Sequence, residues 1–339
     1  MRILVTGGAG YIGSHACKAL SQAGFTPVAF DNLVYGHREA VRWGPLVVGD
    51  LLDAHAIDQV LKEFQPDAVL HFAAYAYVGE SVADPAKYYR NNVVGSLNLL
   101  EAMRKAAINK IIFSSTCATY GLPENDRFSK HTLISESHPQ NPINPYGSSK
   151  LMIERILRDF DHAYQLRSIC LRYFNAAGAD ITAEIGENHD PETHLIPLIL
   201  EAAAGIRKSI TVYGSDYDTA DGSCIRDYVH VSDLADAHVL ALQALLNGAK
   251  SSVYNLGNGR GYSVKEVIAA AQAATGKEIP VSFGPRRAGD PACLVGDATL
   301  IKNTLGWAPR YSDLADIIGS AWRWQQRASD AVKSEMEPN

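Results

Sequence analysis

The first half of the chain alternates short β-rich apolar runs with longer stretches in which apolar residues recur at helical spacing. Alternation of this kind is typical of βαβ units that build a parallel sheet. The predicted strands are residues 2–6, 26–30, 46–48, 67–72, 110–114 and 166–173. The predicted helices are residues 12–23, 54–64 and 85–107, followed by a helix that begins after Asn144-Pro145 and ends near residue 164.

The alternation changes after about residue 178, where a polar, irregular stretch runs to residue 193. Beyond it, the pattern predicts a strand at residues 210–213 and helices at residues 195–204, 231–246, 264–275 and 314–327. We therefore expect an α/β fold, in which a doubly wound, mostly parallel, Rossmann-type sheet is joined by a smaller C-terminal α/β lobe. The predicted division is a first domain at residues 1–178, to which C-terminal segments can return, a second lobe at 179–329 and a frayed polar tail at 330–339.

Composition narrows the class of protein. The chain has 339 residues, of which 47% are hydrophobic and 20% charged, and this excludes a disordered or collagen-like protein. The formal net charge is −6 and no basic stripe is present, so we expect no nucleic-acid partner. No apolar run approaches the roughly 20 residues that span a bilayer, so we expect no membrane partner. The scattered cysteines have no metal-binding spacing and the chain opens without a secretory signal, which indicates a cytoplasmic protein with reduced thiols and no metal site.

The first predicted strand runs directly into three regularly spaced glycines, Gly7, Gly10 and Gly13, at the start of the first helix. Gly7 permits a tight turn, Gly10 lets a pyrophosphate approach the backbone, and Gly13 lets the helix and strand pack closely. Asp31 ends the second strand, where a carboxylate would bind the ribose hydroxyls and repel a 2′-phosphate. The pattern therefore favours a site for NAD rather than NADP. Asp50, after the third strand, fits the adenine end of this site or a plain turn or helix-cap role equally well.

Tyr146 and Lys150 are four residues apart, so one face of a helix would present both side chains. A nearby ammonium stabilises a phenolate, and we therefore expect Lys150 to lower the pKa of Tyr146 and allow it to exchange a proton with a substrate hydroxyl. The fifth predicted strand ends in a run of Ser and Thr at residues 114–119. A hydroxyl from this run would share the reacting proton; the alternative is an ordinary strand-to-loop turn.

Together these residues resemble those of the extended short-chain dehydrogenase/reductase superfamily and, within it, of the epimerases that act on UDP-sugars. The resemblance runs from Met1 to about Arg327. Its most specific matches are Asp31-Asn32-Leu33, His71-Phe72-Ala73-Ala74, Val78-Gly79-Glu80-Ser81, Asn91-Asn92-Val93, Tyr146-x-x-x-Lys150, Leu171-Arg172-Tyr173-Phe174-Asn175, Arg226-Asp227-Tyr228-Val229-His230-Val231 and Arg286-Arg287-Ala288-Gly289-Asp290.

The resemblance implies Tyr146 as the catalytic base, Lys150 as the residue that holds the nicotinamide ribose and tunes Tyr146, and Thr116 as the assisting hydroxyl. The predicted cofactor-binding residues are Gly7, Gly10, Tyr11, Ile12, Gly13, Asp31, Asn32, Asp50, Leu51, Phe72, Ala73, Ala74, Asn91, Ser114, Tyr146, Lys150, Tyr173 and Phe174. The predicted substrate-binding residues are Val78, Thr116 and His194, with Asn175, Arg226 and Arg287 at the diphosphate, Leu195, Tyr213, Tyr228 and Asp290 around the uridine, and Cys293 at the sugar.

Several positions depart from the family pattern. Ala76 stands where the best-known members carry a lysine near the cofactor phosphates. His194 stands where some members have an asparagine, and a site role and a plain loop role are equal alternatives for it. Cys117 and Ala118 replace the Asp-Glu pair with which related dehydratases eliminate water. Cys293 falls beside the sugar 2-position; we hypothesise that this small residue admits N-acetyl sugars, the alternative being an ordinary packed cysteine.

The implied activity is the interconversion of UDP-glucose and UDP-galactose, by reversible NAD-dependent oxidation at sugar C4 through a 4-keto intermediate. One alternative is a 4-epimerase dedicated to another UDP-sugar, an N-acetylhexosamine or a uronate. A second alternative is a non-catalytic NAD-binding regulator on the same fold. The resemblance also implies a homodimer, in which the helices at residues 85–107 and 146–164 of two subunits form a four-helix bundle.

Overall fold

A parallel sheet of seven strands forms the larger layer of the fold. The computed structural model describes residues 1–122, 133–287 and 290–336. Its strands are β1 (Arg2–Thr6), β2 (Thr26–Asp31), β3 (Leu46–Val48), β4 (Ala68–His71), β5 (Lys110–Thr116), β6 (Arg167–Tyr173), β7 (Asn175–Ala177), β8 (Ile210–Tyr213), β9 (Ile225–His230), β10 (Ser252–Leu256), β11 (Gly261–Ser263), β12 (Val281–Gly284) and β13 (Cys293–Leu294). In the large sheet the order is β10-β6-β5-β4-β1-β2-β3, and every pairing is parallel.

Helices cover both faces of this sheet. The helices of the two lobes, in chain order, are α1 (Tyr11–Gln22), α2 (Ala54–Phe64), α3 (Val78–Ala83), α4 (Pro85–Tyr88), α5 (Gly95–Lys105), α6 (Pro145–Tyr164), α7 (Leu195–Ala203), α8 (Val231–Leu246), α9 (Val264–Thr275), α10 (Thr299–Leu305) and α11 (Leu314–Met336). Ile3 and Val5 of β1 pack with residues of α1 and α8, whereas Leu4 between them packs on the opposite face with α2, α5 and α6. This alternation of side chains follows from the pleat of a strand. The predicted doubly wound, Rossmann-type sheet is confirmed.

The predicted helix at residues 85–107 is interrupted. Helix α4 ends at Tyr88, a π-helical turn spans Tyr89–Val94, and α5 follows. The turn directs Asn92 into the protein, where its amide donates to the carbonyl of Tyr75 at 3.0 Å and to the hydroxyl of Ser149 at 3.1 Å. Single π-turns inside helices are frequent at functional sites. Here the turn ties the loop after β4 to the start of α6.

The second half of the chain builds a smaller lobe with its own apolar core. A sheet that contains β7, β9, β11 and β13 and a two-stranded β8–β12 sheet pack with α7, α9 and α11. The large sheet receives its outer strand, β10, from residues beyond 178. The division of the chain at residue 178 stays a prediction.

The last helix differs from its predicted extent. Helix α11 continues to Met336, past the predicted end at residue 327, so residues 330–336 of the predicted frayed tail are helical. Residues 337–339 of that tail lie outside the described residues. Across the described part of the chain, none of the helices combines the length and the apolar character needed to cross a bilayer.

Candidate active site

A cavity of about 430 Å³ opens where the parallel strands end. In doubly wound sheets, this edge is where ligands bind. The cavity is lined by all predicted cofactor-binding residues, from Gly7 to Phe174, and by the predicted substrate residues Val78, Thr116, Asn175 and His194. The parallel sheet thus brings six separate strand ends to one wall, as their sequence positions predicted.

The glycine turn has no room for larger side chains. Gly7 has a φ of +73°, and a Cβ added there would lie 2.6 Å from the backbone nitrogen of Ala73. A Cβ at Gly13 would lie 2.0 Å from the carbonyl oxygen of Gly7. Helix α1 begins directly after Gly10, so its first backbone N–H groups face the cavity side of the turn. A helix N-terminus left open by glycines is a binding site for an anionic pyrophosphate.

Carboxylates stand at the ends of the second and third strands. Asp31 accepts hydrogen bonds from the backbone N–H of Ala9 at 3.0 Å and of Leu33 at 2.9 Å, while burial raises the pKa of this carboxyl. Asp50 accepts from the backbone of Leu52 at 2.8 Å and from the Asn32 amide at 2.8 Å. The turn role considered for Asp50 is therefore present; the residue also lines the cavity, and its contact with adenine stays a prediction.

Tyr146 and Lys150 lie on the first turns of α6, which Asn144 caps by accepting from the backbone N–H of Gly147 at 2.8 Å. Both side chains line the cavity beside the end of β5, where Thr116 lies within hydrogen-bond reach of the Tyr146 phenol. Lys150 is buried and donates to the carbonyl oxygen of Ser114 at 2.7 Å. Helix α6 and strand β5 thus bring a phenol, a hydroxyl and an amine to one wall.

The structure does not show the lowered pKa of Tyr146 that was expected from the proximity of Lys150. Burial raises the pKa of Tyr146 to about 12, and its hydrogen bond with Thr116 opposes this only in part. Burial also lowers the pKa of Lys150 to about 7, against the attraction of Glu154. Both shifts follow from desolvation, which disfavours the charged form of either group. The residues of this chain alone therefore keep the phenol protonated at neutral pH.

A buried ion pair holds the helix of Tyr146 against the sheet. The guanidinium of Arg172 on β6 donates to both carboxylate oxygens of Glu154 on α6, at 2.9 and 2.6 Å. Arg172 also donates to the Tyr120 hydroxyl at 3.0 Å, and Ser115 donates to Glu154 at 2.5 Å. Sequence reasoning missed Glu154, although it follows Lys150 by one helical turn. The pair fixes α6 relative to β5 and β6 beneath the catalytic group.

The loop before α7 closes one side of the cavity. Glu187 and His189 line the cavity with His194, although sequence reasoning singled out His194 alone. Burial lowers the pKa of His194, but hydrogen bonds with Glu187 and Glu192 outweigh it and raise that pKa to about 10. The Nδ1 of His194 lies 2.7 Å from Glu187, so the residue belongs to a charged cluster at the cavity rather than to a plain loop.

The remaining predicted substrate residues lie outside this cavity lining, in the second lobe; they are Leu195, Tyr213, Arg226, Tyr228, Arg287, Asp290 and Cys293. Arg226 forms an ion pair with Asp290 and donates to the carbonyl oxygens of Ile225 at 2.7 Å and Pro291 at 3.0 Å. Arg287 stacks over the ring of Tyr213, at 4.2 Å from its centroid. Ala288 and Gly289 of the motif around Arg287 lie outside the described residues. The structure thus groups these residues with one another, and their contact with substrate stays a prediction.

Comparison with known proteins decides the family. A family model described as the NAD dependent epimerase/dehydratase family matches residues 3–257, which is most of the chain. The chain belongs to this family. NAD is therefore its cofactor, as the glycine turn and Asp31 predicted.

Relatives of this family resemble the chain over nearly its whole length. A UDP-glucose 4-epimerase of Rhizobium leguminosarum bv. trifolii is 52% identical and covers 96% of this chain and 98% of its own. A solved UDP-glucose 4-epimerase of Brucella ovis, in complex with NAD, has a TM-score of 0.91 and 52% identity, and covers 95% of this chain and 97% of its own. The solved UDP-glucose 4-epimerase of Bifidobacterium longum, in complex with NAD⁺ and UDP, has a TM-score of 0.90 and 38% identity, and covers 97% of this chain and 99% of its own.

The described residues fit this cofactor. The open helix N-terminus suits its pyrophosphate, Gly7 and Gly13 allow the close packing of turn, strand and helix that forms this N-terminus, and Asp31 suits an adenosine ribose that bears no phosphate. Ala76 also lines the cavity. Its side chain is a methyl group, whereas the family pattern given in the sequence analysis has a lysine at this position.

Proposed function

We propose that this protein interconverts UDP-glucose and UDP-galactose by reversible, NAD-dependent oxidation at sugar C4 through a 4-keto intermediate. The observation that carries the proposal is the convergence of Tyr146, Thr116 and Lys150 on the wall of the cavity that the glycine turn opens. The similarity of the chain to UDP-glucose 4-epimerases over nearly its full length supports the choice of substrate.

The residues of the chain divide the chemistry among them. When bound, NAD is the temporary acceptor of the C4 hydrogen with its electron pair. The positive charge that NAD⁺ would add to the cavity favours the phenolate of Tyr146. As phenolate, Tyr146 takes the proton of the sugar 4-hydroxyl and returns it in the second half of the reaction. Thr116 hydrogen-bonds the same oxygen and shares the proton, since its hydroxyl both donates and accepts. Lys150, held by the Ser114 carbonyl, binds the nicotinamide ribose and places a cation near the phenol.

The positions after Thr116 separate epimerisation from elimination, the other reaction in the family's description. Cys117 and Ala118 line the cavity there, and neither is a carboxylate. Burial raises the pKa of the Cys117 thiol to about 12, so this residue stays neutral. Removal of water from the sugar requires an acid and a base at this place, whereas oxidation and reduction at one carbon do not. These residues favour the epimerase.

We also propose the predicted residues of the second lobe as the nucleotide site. Arg226 and Arg287 would clamp the diphosphate, because a guanidinium can bind phosphate oxygens in a bidentate manner. Asn175 lines the cavity between them and the cofactor residues, and its amide donates to the carbonyl oxygen of Asp227 at 2.9 Å. The diphosphate would stay clamped while the keto sugar turns over, which keeps the intermediate bound.

Cys293 carries a narrower hypothesis, that the enzyme also accepts UDP-N-acetylglucosamine. The residue is half-buried on β13, beside β9, which bears Arg226. Cys293→Tyr should reduce activity on the N-acetyl sugar more than activity on UDP-galactose. An unchanged ratio of the two activities would leave Cys293 as an ordinary packed residue, and strong preference of the parent protein for an N-acetyl sugar or a uronate would favour the dedicated epimerase.

A homodimer is the proposed assembly. The surface of α4, the π-helical turn and α6 forms an apolar groove of about 730 Å³, lined by Leu52, Ala86, Tyr89, Arg90, Val93, Val94 and Met152. Val94 and Met152 are exposed there, at 45% and 42% of their surfaces. These are the helices for which sequence predicted a four-helix bundle between subunits, and light scattering tests that assembly.

A cytoplasmic location is also proposed, since all five cysteines are free thiols.

The direct test of function is incubation with UDP-galactose and NAD without any added reductant, followed by chromatography. We expect UDP-glucose to accumulate until the two sugars reach equilibrium. A protein that binds NAD but forms no UDP-glucose would instead support the regulator. The presence of both Tyr146 and Lys150 in the cavity argues against that alternative.

A further inference from the structure

Four side chains of the loop before α7 converge on one point. Glu187, His189, Glu192 and His194 each bring one ligand atom to a cluster in which all four atoms lie within 4.8 Å of one another. The Nδ1 of His189 lies 3.2 Å from Glu187 and 3.6 Å from Glu192. The Nδ1 of His194 lies 2.7 Å from Glu187 and 3.2 Å from Glu192. Each imidazole therefore faces both carboxylates.

These separations, which also make ion pairs between the imidazoles and the carboxylates, match those between the ligands of a single metal ion. Bonds of about 2.0–2.1 Å in a tetrahedral zinc site place neighbouring ligand atoms about 3.3 Å apart. The Oε1 of Glu187 and the Nδ1 of His189 are buried at ion-pair distance from each other, yet among the described residues neither makes a hydrogen bond of good geometry. The side chain of Glu187 is only 7% exposed. Buried polar atoms without a hydrogen bond of good geometry call for an explanation, and a shared cation supplies one.

The loop is held firmly enough to present these ligands. The carboxylate of Glu192 accepts from the backbone N–H groups of Thr193 at 2.6 Å and His194 at 2.7 Å, which fixes its direction. Trp324 on α11 donates to the carbonyl oxygen of Glu187 at 2.9 Å, and His37 donates to that of Asn188 at 2.8 Å. Such contacts orient the atoms that bind a metal.

We propose that Glu187, His189, Glu192 and His194 bind one first-row divalent transition-metal ion, for which Zn²⁺ is the probe. Two imidazole nitrogens and two carboxylate oxygens suit such ions, and the two carboxylates balance the charge of one of them. Three of the four residues line the cofactor cavity. The ion would cross-link residues 187–194 into a fixed wall of that cavity. The sequence-based expectation of no metal site considered only cysteine spacing and overlooked this Glu-x-His-x-x-Glu-x-His pattern.

The test is a titration of chelator-treated, full-length protein with Co²⁺, whose visible absorption reports tetrahedral coordination, followed by competition with Zn²⁺. We expect one equivalent to bind with intense tetrahedral bands, and Zn²⁺ to displace it and raise the Tm. Either of two results with the parent protein is enough to overturn the proposal. One is weak absorption typical of hexahydrated Co²⁺, and the other is binding that does not saturate at one equivalent.

Two variants locate the ion. Glu187→Gln keeps the size of the side chain and His194→Asn keeps a polar one; each should weaken binding at least about 100-fold, since even the loss of an outer partner costs about 10–100-fold. His55→Asn, at an exposed histidine of α2, should leave binding unchanged. Undiminished binding in both ligand variants contradicts the assignment. The absorption readout needs no turnover, so its failure leaves the proposed function intact.

Discussion

The cofactor half and the nucleotide half of the candidate site differ in how they are built. In the first half, all predicted residues line one cavity because parallel strands end at one edge of one sheet. In the second half, Arg226 pairs with Asp290 and Arg287 stacks on Tyr213, so the side chains predicted to bind the nucleotide contact one another within the second lobe. A site fixed by a sheet edge is present in the backbone itself, whereas the proposed clamp of long charged side chains would be completed only by the ligand.

The largest effect should come from Tyr146→Phe, in the cofactor half. Loss of the phenol oxygen removes the only group proposed to take the substrate proton, and general acid–base groups contribute about 10²–10⁴-fold. We expect kcat to fall by that range while the affinities for NAD and UDP stay unchanged. Steady-state kinetics and calorimetry measure the two; a variant as active as the parent would remove Tyr146 from the mechanism.

The next largest effect tests the glycine turn. A Cβ at Gly13 would overlap the Gly7 carbonyl, so the backbone must shift, and overpacking of this kind costs about 1–3 kcal/mol. We expect Gly13→Ala to weaken NAD binding by about 10–100-fold. Gly79→Ala is the matched control, because a Cβ on that glycine of α3 meets nothing within 4 Å. Equal Kd values for NAD in the two variants would contradict the role given to the turn.

A smaller, selective effect should mark the nucleotide half. Arg226→Lys removes the bidentate geometry of the guanidinium, and we expect UDP to bind about 10-fold more weakly with NAD binding unchanged. Arg286→Lys serves as the control, since Arg286 is an exposed residue that pairs with Asp216 at 2.7 Å. Two results would contradict the separation of the two halves: equal affinities of the two variants for UDP, or a loss of NAD affinity in Arg226→Lys in place of a loss of UDP affinity.

A separate effect, on stability rather than on binding or turnover, concerns acid unfolding beneath the cofactor half. His71 is buried between the Thr6 hydroxyl at 2.6 Å and the Ser96 hydroxyl at 2.8 Å, and burial lowers its pKa to about 3. The unfolded chain binds this proton near its ordinary pKa of about 6.5, so stability is full above that pH and falls as the pH drops towards 3. Denaturant titrations should show a slope of up to about 1.4 kcal/mol per pH unit from this residue. His71→Gln should flatten the slope of the free energy of unfolding against pH. If the slope of this variant is as steep as that of the parent, the loss of stability in acid comes from other groups.

The sequence predicted elements whose pattern is local. The bounds of β1, β3, β8, α2, α8 and α9 match their predicted residues, because each is a single apolar run or amphipathic stretch between turn signals. The π-helical turn at Tyr89–Val94 was not predictable in this way, since its residues continue a helical pattern. Strands β7 and β13 are two or three residues long, and their pairing with β9 depends on contacts far apart in the chain.

The same distinction holds in the site. Motifs at strand ends placed Asp31 and Thr116 in one cavity, because sequence position fixes where a parallel strand ends. The pKa of Tyr146 could not be read from spacing, because its largest shift comes from burial, which depends on the whole fold. Glu187 and His189 were missed because an irregular loop has no period that indicates which side chains converge.

The most direct measurement of the central claim follows the C4 hydrogen of the sugar. UDP-galactose carrying deuterium at C4 is incubated in ordinary water with the protein and NAD, and the UDP-glucose formed is examined by mass spectrometry and NMR. The account predicts that the deuterium is found at C4 of UDP-glucose, since oxidation and reduction take place at that carbon within one cavity. Loss of the label to solvent, or a product labelled at another carbon, would contradict it.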